Sequence, residues 1–449
     1  MKALVALVAA AALSACGGSR VGQDAGPSDA GLSDAAVDAG VDSGVDAGVD
    51  SGAPDSGLPD AGDAGFVDHG APSTTYPAYA IDWPQLQGSD AGVLAAPRFV
   101  SVTFDGDPLR AGFESFLTAV GPSTYWQTTT AEYGVGLPSV ATPVHLAVTA
   151  PTLINDSDIQ TFLAQQLDGT HAEWPAPDGK TIYTLVYPTG TSIELGTLKS
   201  CVTFGGYHSA FRLNSVLVPY IVMPRCTAKP SVPALSTEFK VLTGVATHEL
   251  VEAVTDIDPS GGFGYQLPQS SQLAFATFAG AETGDMCEFN PAAFVEDPQL
   301  NATVQRTWSN AAAAAGHEPC VPASAGAFFT AVPTMPAAVP ITLGAASLMS
   351  RGLKLKLGES RTVPLPLVSS ADTQGPFSLA AKDRLEFSGM GRALTFRFDR
   401  TSGVNGEKVY LTITRTGSDP NFGGAIPFAV LASKGTTTTY WFALVGQAP

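Results

Sequence analysis

The sequence predicts an α+β domain followed by a small all-β sandwich, and three observations carry that expectation. Strand-like and helix-like segments interleave between Tyr76 and Cys320. One long segment, Ser236 to Val254, has apolar residues at helical spacing, and from Ala327 to Pro449 only short alternating segments remain. At 449 residues the chain is too long for one ordinary domain. Hydrophobic residues make up 45% and charged residues 14%, with 47 Gly and 34 Pro, which fits β-rich or mixed domains better than a helical bundle. The formal charge is -18, yet eleven of the acids are aspartates between Asp24 and Asp68, where no Lys or Arg offsets them. The acidity therefore belongs mostly to one segment, and nucleic acid is disfavoured as a partner.

In chain order, Met1-Lys2 supplies a short positive start, and Ala3 to Leu13 is an apolar run too short to span a bilayer permanently. Leu13-Ser14-Ala15-Cys16 ends it with small residues and resembles the lipobox of bacterial lipoprotein signal peptides. The resemblance implies a signal peptide over residues 1–16, a lipid on Cys16 that holds the protein to a membrane, and, because Gly17 and not Asp follows, the outer membrane. An ordinary cleaved signal with a spare Cys is the alternative. Residues 17–73 are near-repeats of Asp, Ala, Gly, Ser and Val, such as Val41-Asp42-Ser43-Gly44, with too few bulky apolar residues to offset ordering entropy. They read as a disordered acidic tether. A calcium-binding β-roll would need a nonapeptide period that is missing.

Residues 74–325 carry the expected α+β domain. Arg98 to Phe104 alternates as a buried strand does and stops at Asp105-Gly106-Asp107. Pro108 to Val120 places Leu109, Phe113, Phe116 and Leu117 at helical spacing, and Ser157 to Leu167 forms a second helix behind Asp156 or Ser157 as cap. Thr181 to Tyr187 and Ser215 to Met223 are rich in β-branched and aromatic residues and read as strands. In the helix from Ser236 to Val254 the apolar positions are Phe239, Leu242, Val245, Leu250 and Val254, and Gly261, Gly262 and Gly264 lie beyond its end. Trp126, Trp174 and Trp308 read as core or rim. Residues 326–449, with Leu394 to Phe398 and Val409 to Ile413 alternating, form the expected sandwich. With Cys16 set aside, four cysteines remain. Pairing Cys201 with Cys226 and Cys287 with Cys320 closes modest loops, as in an exported protein, whereas a Cys-bound metal lacks any C-x-x-C.

Chemistry concentrates at His248-Glu249-Leu250-Val251-Glu252. Residues four apart on a helix share a face, so His248 and Glu252 can reach one cation while Glu249 projects beside them. This segment resembles the H-E-x-x-H motif of the zincin metallopeptidases with the second His replaced by Glu. The resemblance implies a zincin-like fold, Zn2+, His248 and Glu252 as ligands, and Glu249 as general base. By analogy with the gluzincin branch, Ala281-Glu282-Thr283-Gly284-Asp285-Met286-Cys287 supplies Glu282 as third ligand and Asp285 as hydrogen-bonding partner of His248, or the reverse. So oxygen-rich a set admits another divalent cation such as manganese or calcium. The metzincin continuation is absent, since Thr255-Asp256-Ile257-Asp258-Pro259 follows directly, and no G-x-S-x-G offers a serine nucleophile. Without a metal, the same motif is two carboxylates near a helix end and a core histidine.

A wider set of motifs resembles the plant EXORDIUM or phosphate-induced proteins and their bacterial relatives. It comprises Tyr133 to Gly136, Gly205-Gly206-Tyr207-His208-Ser209, Thr247 to Ala253, Glu282 to Cys287, and Trp308-Ser309. This resemblance implies an extracytoplasmic zincin-like domain; it does not imply peptidase activity. His208 is placed by its glycine-rich loop either at the metal or substrate oxyanion or in a local hydrogen bond. Tyr265 is a further oxyanion candidate or an exposed aromatic. The expected function is a surface-anchored metallopeptidase using metal-activated water on a protein or cell-wall peptide. The alternative is a non-catalytic, metal-stabilised adhesion or signalling protein, and for the sandwich alone a carbohydrate-binding module.

Overall fold

The structure, a computed structural model, describes residues 68–448 except 90–91, 231, 260–263, 269–271, 279, 323–325 and 344–345. The expected signal peptide, the lipid site at Cys16 and residues 17–67 of the expected tether lie outside the described residues.

A mixed sheet forms the first half. Strand β1 (Arg98–Phe104) runs parallel to β2 (Ser139–Val140) and β3 (Val144–Leu146) on one side and to β4 (Thr181–Val186) on the other. The edge strand β5 (Tyr207–Leu213) lies antiparallel to β6 (Val216–Met223), which in turn runs parallel to β4. Every residue of β4 is buried, as required of a strand covered on both faces. Helices α1 (Arg110–Val120), α2 (Asp156–Gln166) and α3 (Glu238–Thr255) provide the cover. Alternate residues sort to the two sides: Phe99, Ile182, Ile221 and Met223 share a core with Phe113 and Leu242, while Val100, Tyr183, Tyr220 and Val222 share one with Ile159 and Leu163. Helix α1 begins at Arg110, not Pro108, because the Asp107 carboxylate accepts the Leu109 amide at 2.9 Å and closes a turn there.

Helix α3 starts behind Thr237, whose side chain accepts the Lys240 amide. From Val241 to Thr255 it is buried at every residue but Val245. A helix enclosed this fully must satisfy its polar side chains inside the protein. Strands β7 (Phe294–Asp297) and β8 (Ala302–Gln305) pair as a hairpin along it, tied by the Thr303 amide to Thr243 Oγ1 and the Gln305 amide to Thr247 Oγ1.

The remaining strands build a sandwich. One sheet has four strands in the order β9 (Phe329–Ala331), β12 (Ser360–Ser369), β16 (Lys408–Arg415), β14 (Leu394–Phe398). The other has six, in the order β10 (Ala337–Leu343), β11 (Ala346–Leu355), β18 (Thr437–Gln447), β17 (Ile426–Lys434), β13 (Phe377–Asp383), β15 (Ser402–Gly403). The chain from His69 onward is attached to it: Gly70 bridges Glu407, and the Asn405 side-chain amide donates to the Ser73 and Thr75 carbonyls.

The expected fold class, an α+β zincin-like domain followed by a small all-β sandwich, is corrected by these elements. Among the described residues strand occupies 36% and helix 21%, so this part of the protein is predominantly β and of sandwich type. The sandwich is not small because its core continues into segments read as part of the earlier domain. Trp83, Leu267, Phe275, Phe278, Met286 and Trp308 belong to the same apolar cluster as Val339, Leu365, Phe428 and Leu444. Helical periodicity around His248 outweighed many strands of two to four residues, each too short to show a period of its own.

The disulfides join Cys201 to Cys226 and Cys287 to Cys320. They mark an extracytoplasmic or cell-envelope protein. Among the described residues no helix is long and apolar enough to cross a membrane. One consequence of the packing is a pH effect. Glu318 lies in a cavity lined by Trp83, Phe275, Trp308 and Tyr440, and burial pushes its carboxyl up to about 7 against the opposing hydrogen bond from the Cys320 amide. The folded state thus holds this proton more tightly than the unfolded chain, so the stabilisation is complete below the unfolded value and is lost as pH rises towards 7. Urea unfolding across that window should show wild type losing stability relative to Glu318→Gln; parallel curves would contradict the assignment.

Candidate metal centre

The polar face of α3 meets β5 on one side and the loop before Cys287 on the other. Strand alternation turns Tyr207 into the distant core and leaves His208, which pairs with Ile221 on β6, facing the helix. His208 Nδ1 stands 3.4 Å from Glu249 Oε2 and 3.7 Å from Glu252 Oε2, and its Nε2 is 3.4 Å from Glu282 Oε2. His248 Nε2 lies 3.0 Å from Glu252 Oε2 and 3.6 Å from Asp285 Oδ1. The structure therefore brings together His208, His248, Glu249, Glu252, Glu282 and Asp285. Tyr265 stands outside this set and packs edge-on against Tyr133, ring centroids 4.8 Å apart. His208 also departs from expectation by lying on the edge strand β5 and not in a loop.

Two anchors orient the donors. Gln305 Nε2 donates to the Gly284 carbonyl at 2.7 Å, which turns its Oε1 towards His248 Nδ1, 3.1 Å away. Nδ1 therefore donates to Gln305, and Nε2 faces the carboxylates, donating to Glu252 while it keeps its proton and offering a lone pair once that proton is lost. The role expected of Asp285, partner to the His248 N–H, is thus filled by Gln305, while Asp285 faces Nε2 as a ligand would. A single glutamine in the short strand β8 carries no sequence signal that would single it out. The second anchor is Glu252 Oε1, which accepts the Gly284 and Asp285 amides at 3.0 and 2.9 Å and leaves Oε2 to the cluster.

Glycines make this packing possible. A Cβ on Gly284 would lie 2.7 Å from His248 Nδ1 and 2.9 Å from Glu252 Oε1, and one on Gly206 would lie 2.9 Å from Val245 Cγ1 and 3.1 Å from Glu249 Oε1. Both neighbours of Gly284 are held by hydrogen bonds and cannot retreat. Gly284→Ala is therefore expected to destabilise the fold by about 1–3 kcal/mol, as overpacking does. An unchanged urea midpoint would contradict this.

Electrostatically the cluster is a buried excess of acid. Burial raises the Asp285 carboxyl to about 7, with the Glu252 charge adding to it, and raises Glu282 well above the carboxylate range. Burial also opposes a charge on His208, but the Glu282 carboxylate and its neighbours outweigh it and lift the imidazole to about 10. His248 is raised too, against burial, chiefly by Glu252; Glu252 is in turn lowered by the His248 charge despite its own burial. His208 Nε2, Glu282 Oε2 and Asp285 Oδ1 are buried without a hydrogen-bond partner. Unpartnered carboxylate oxygens beside imidazoles that can exchange a proton for a metal fit a divalent cation.

Comparison with known proteins leaves this site unassigned. No protein-family model matches the sequence, and no curated protein matches it. Among solved structures, domains 4 and 5 of the S-layer protein SbsC align at 10% identity and a TM-score of 0.16, covering 26% of this chain and 47% of that one. The chain thus spans about half the length of that S-layer fragment. The titin M3 domain aligns at 14% identity and a TM-score of 0.15, over 22% of this chain and 88% of that one. Likenesses this slight carry no argument about fold or function.

Proposed function

We propose that the protein is a metal-dependent hydrolase, of peptidase type, whose cation is held by His248 and Glu252 with the carboxylates of Asp285 and Glu282. The observation that carries this reading is the convergence of two imidazoles and four carboxylates, mostly enclosed, with three of their polar atoms unpartnered. A divalent cation bound there supplies Lewis acidity towards water and a substrate carbonyl. The chain's own residues divide the remaining work. Glu249 follows the first ligand on α3 and is positioned to take a proton from attacking water. His208, 3.4 Å from it, can hold that carboxylate in place or donate to a developing oxyanion. Gln305 fixes the tautomer that presents His248 Nε2.

Hydrolysis of an unfolded protein substrate by the purified chain tests this. Activity should disappear with a chelator and return with added Zn2+; activity indifferent to the chelator would refute the metal role. One observation favours a second reading, a cation that only stabilises an adhesion or signalling protein: the His248, Glu249 and Glu252 side chains are 4–7% exposed, as in a closed structural site. Retained metal with no hydrolysis of protein or cell-wall peptides would select it. The motif at Cys16 extends the proposal to an outer-membrane lipid anchor, for which fatty-acid labelling lost in Cys16→Ala is the test.

A further inference from the structure

We infer that the centre is built for two divalent cations that share Glu252, an inference that rests on the metal-dependent reading above. Two groups of side chains could each hold an ion, His248 with Glu249 and Glu252, and His208 with Glu252 and Glu282, their ligand atoms lying within 4.8 Å of one another; in the first, Asp285 is the ligand beside His248 and Glu249 is left as the base. Glu252 belongs to both. Its Oε1 is committed to two backbone amides, so the oxygen it offers is Oε2, 3.0 Å from His248 Nε2 and 3.7 Å from His208 Nδ1. Each imidazole also faces a second acid: Asp285 Oδ1 is 3.6 Å from His248 Nε2, and Glu282 Oε2 is 3.4 Å from His208 Nε2.

The unpartnered atoms divide the same way. Asp285 Oδ1 lies on the His248 side and His208 Nε2 on the other, in side chains 4% and 6% exposed, and neither makes a hydrogen bond. A single cation held by His248, Glu252, Asp285 and Glu282 would still leave His208 Nε2, which faces Glu282 Oε2, without a partner. Charge leads to the same conclusion. Once both imidazoles give up their protons to act as ligands, Glu249, Glu252, Glu282 and Asp285 carry twice the charge of one divalent ion, which two such ions match. Paired ions in such centres stand about 3.5–4 Å apart, a separation that one bridging carboxylate oxygen spans.

The test is Zn2+ stoichiometry by native mass spectrometry on the full chain, after loading and passage over a chelating resin that strips weak surface sites. Wild type should retain two equivalents, and His208→Ala and the near-isosteric Glu282→Gln one each, with unchanged circular dichroism. One equivalent in wild type overturns the second site and leaves the single-cation reading standing. No retained zinc overturns both. Two equivalents in both variants would show that His208 and Glu282 are not the second ligand set.

Discussion

Glu249→Gln is expected to lower hydrolysis by about 10²- to 10⁴-fold, the usual contribution of a positioned general base, while metal content stays unchanged. The side chain is 6% exposed, and the near-isosteric amide removes the basic oxygen and little else. Because Glu249 lies in the buried helix α3, truncation to Ala would add a cavity and confuse chemistry with folding. The readout is the pair of measurements, turnover of an unfolded protein substrate and zinc per chain. Lost turnover with retained zinc supports the base; unaltered turnover would contradict that role for Glu249.

The second large effect concerns stability. Glu252→Ala is expected to cost about 3–5 kcal/mol in the metal-free protein, as breaking a buried ion pair does. Its Oε2 lies 3.0 Å from His248 Nε2, and its Oε1 accepts the Gly284 and Asp285 amides, so truncation strands an imidazole and two buried N–H groups together. Glu252→Gln separates these parts: its amide oxygen still accepts the backbone N–H groups while its charge is gone. Urea unfolding should therefore rank wild type above Glu252→Gln and Glu252→Ala last, with zinc retention weakened in both variants. Equal stability of Ala and Gln would show that the two amide contacts do not anchor the loop.

What was legible in the sequence followed the range of the interaction that determines it. His248, Glu249 and Glu252 are fixed by helical spacing alone, so their common direction could be read without knowing what surrounds α3. Glu282 and Asp285 were named through the resemblance to the gluzincin branch, and both disulfide pairings through loop length. His208 could be named but not placed. Gly205 and Gly206 suggest a loop, and only pairing with β6, in which His208 opposes Ile221, makes the segment an edge strand. Gln305 was invisible because its importance comes from a hairpin lying against α3. The fold class failed for a similar reason: residues such as Trp83 and Phe275 join the sandwich core across long separations, Trp83 packing on Trp441 with ring centroids 4.8 Å apart, and no local periodicity reports that.

Anomalous X-ray diffraction at the zinc edge, from crystals of the full chain grown with Zn2+, tests the metal centre most directly. The expected result is a peak about 2.0–2.2 Å from His248 Nε2 and from the free oxygen of Glu252, the normal zinc–ligand distances. Density without such a peak, with His248 still paired to Glu252 as in the metal-free arrangement, would contradict the metal centre and the hydrolase built on it.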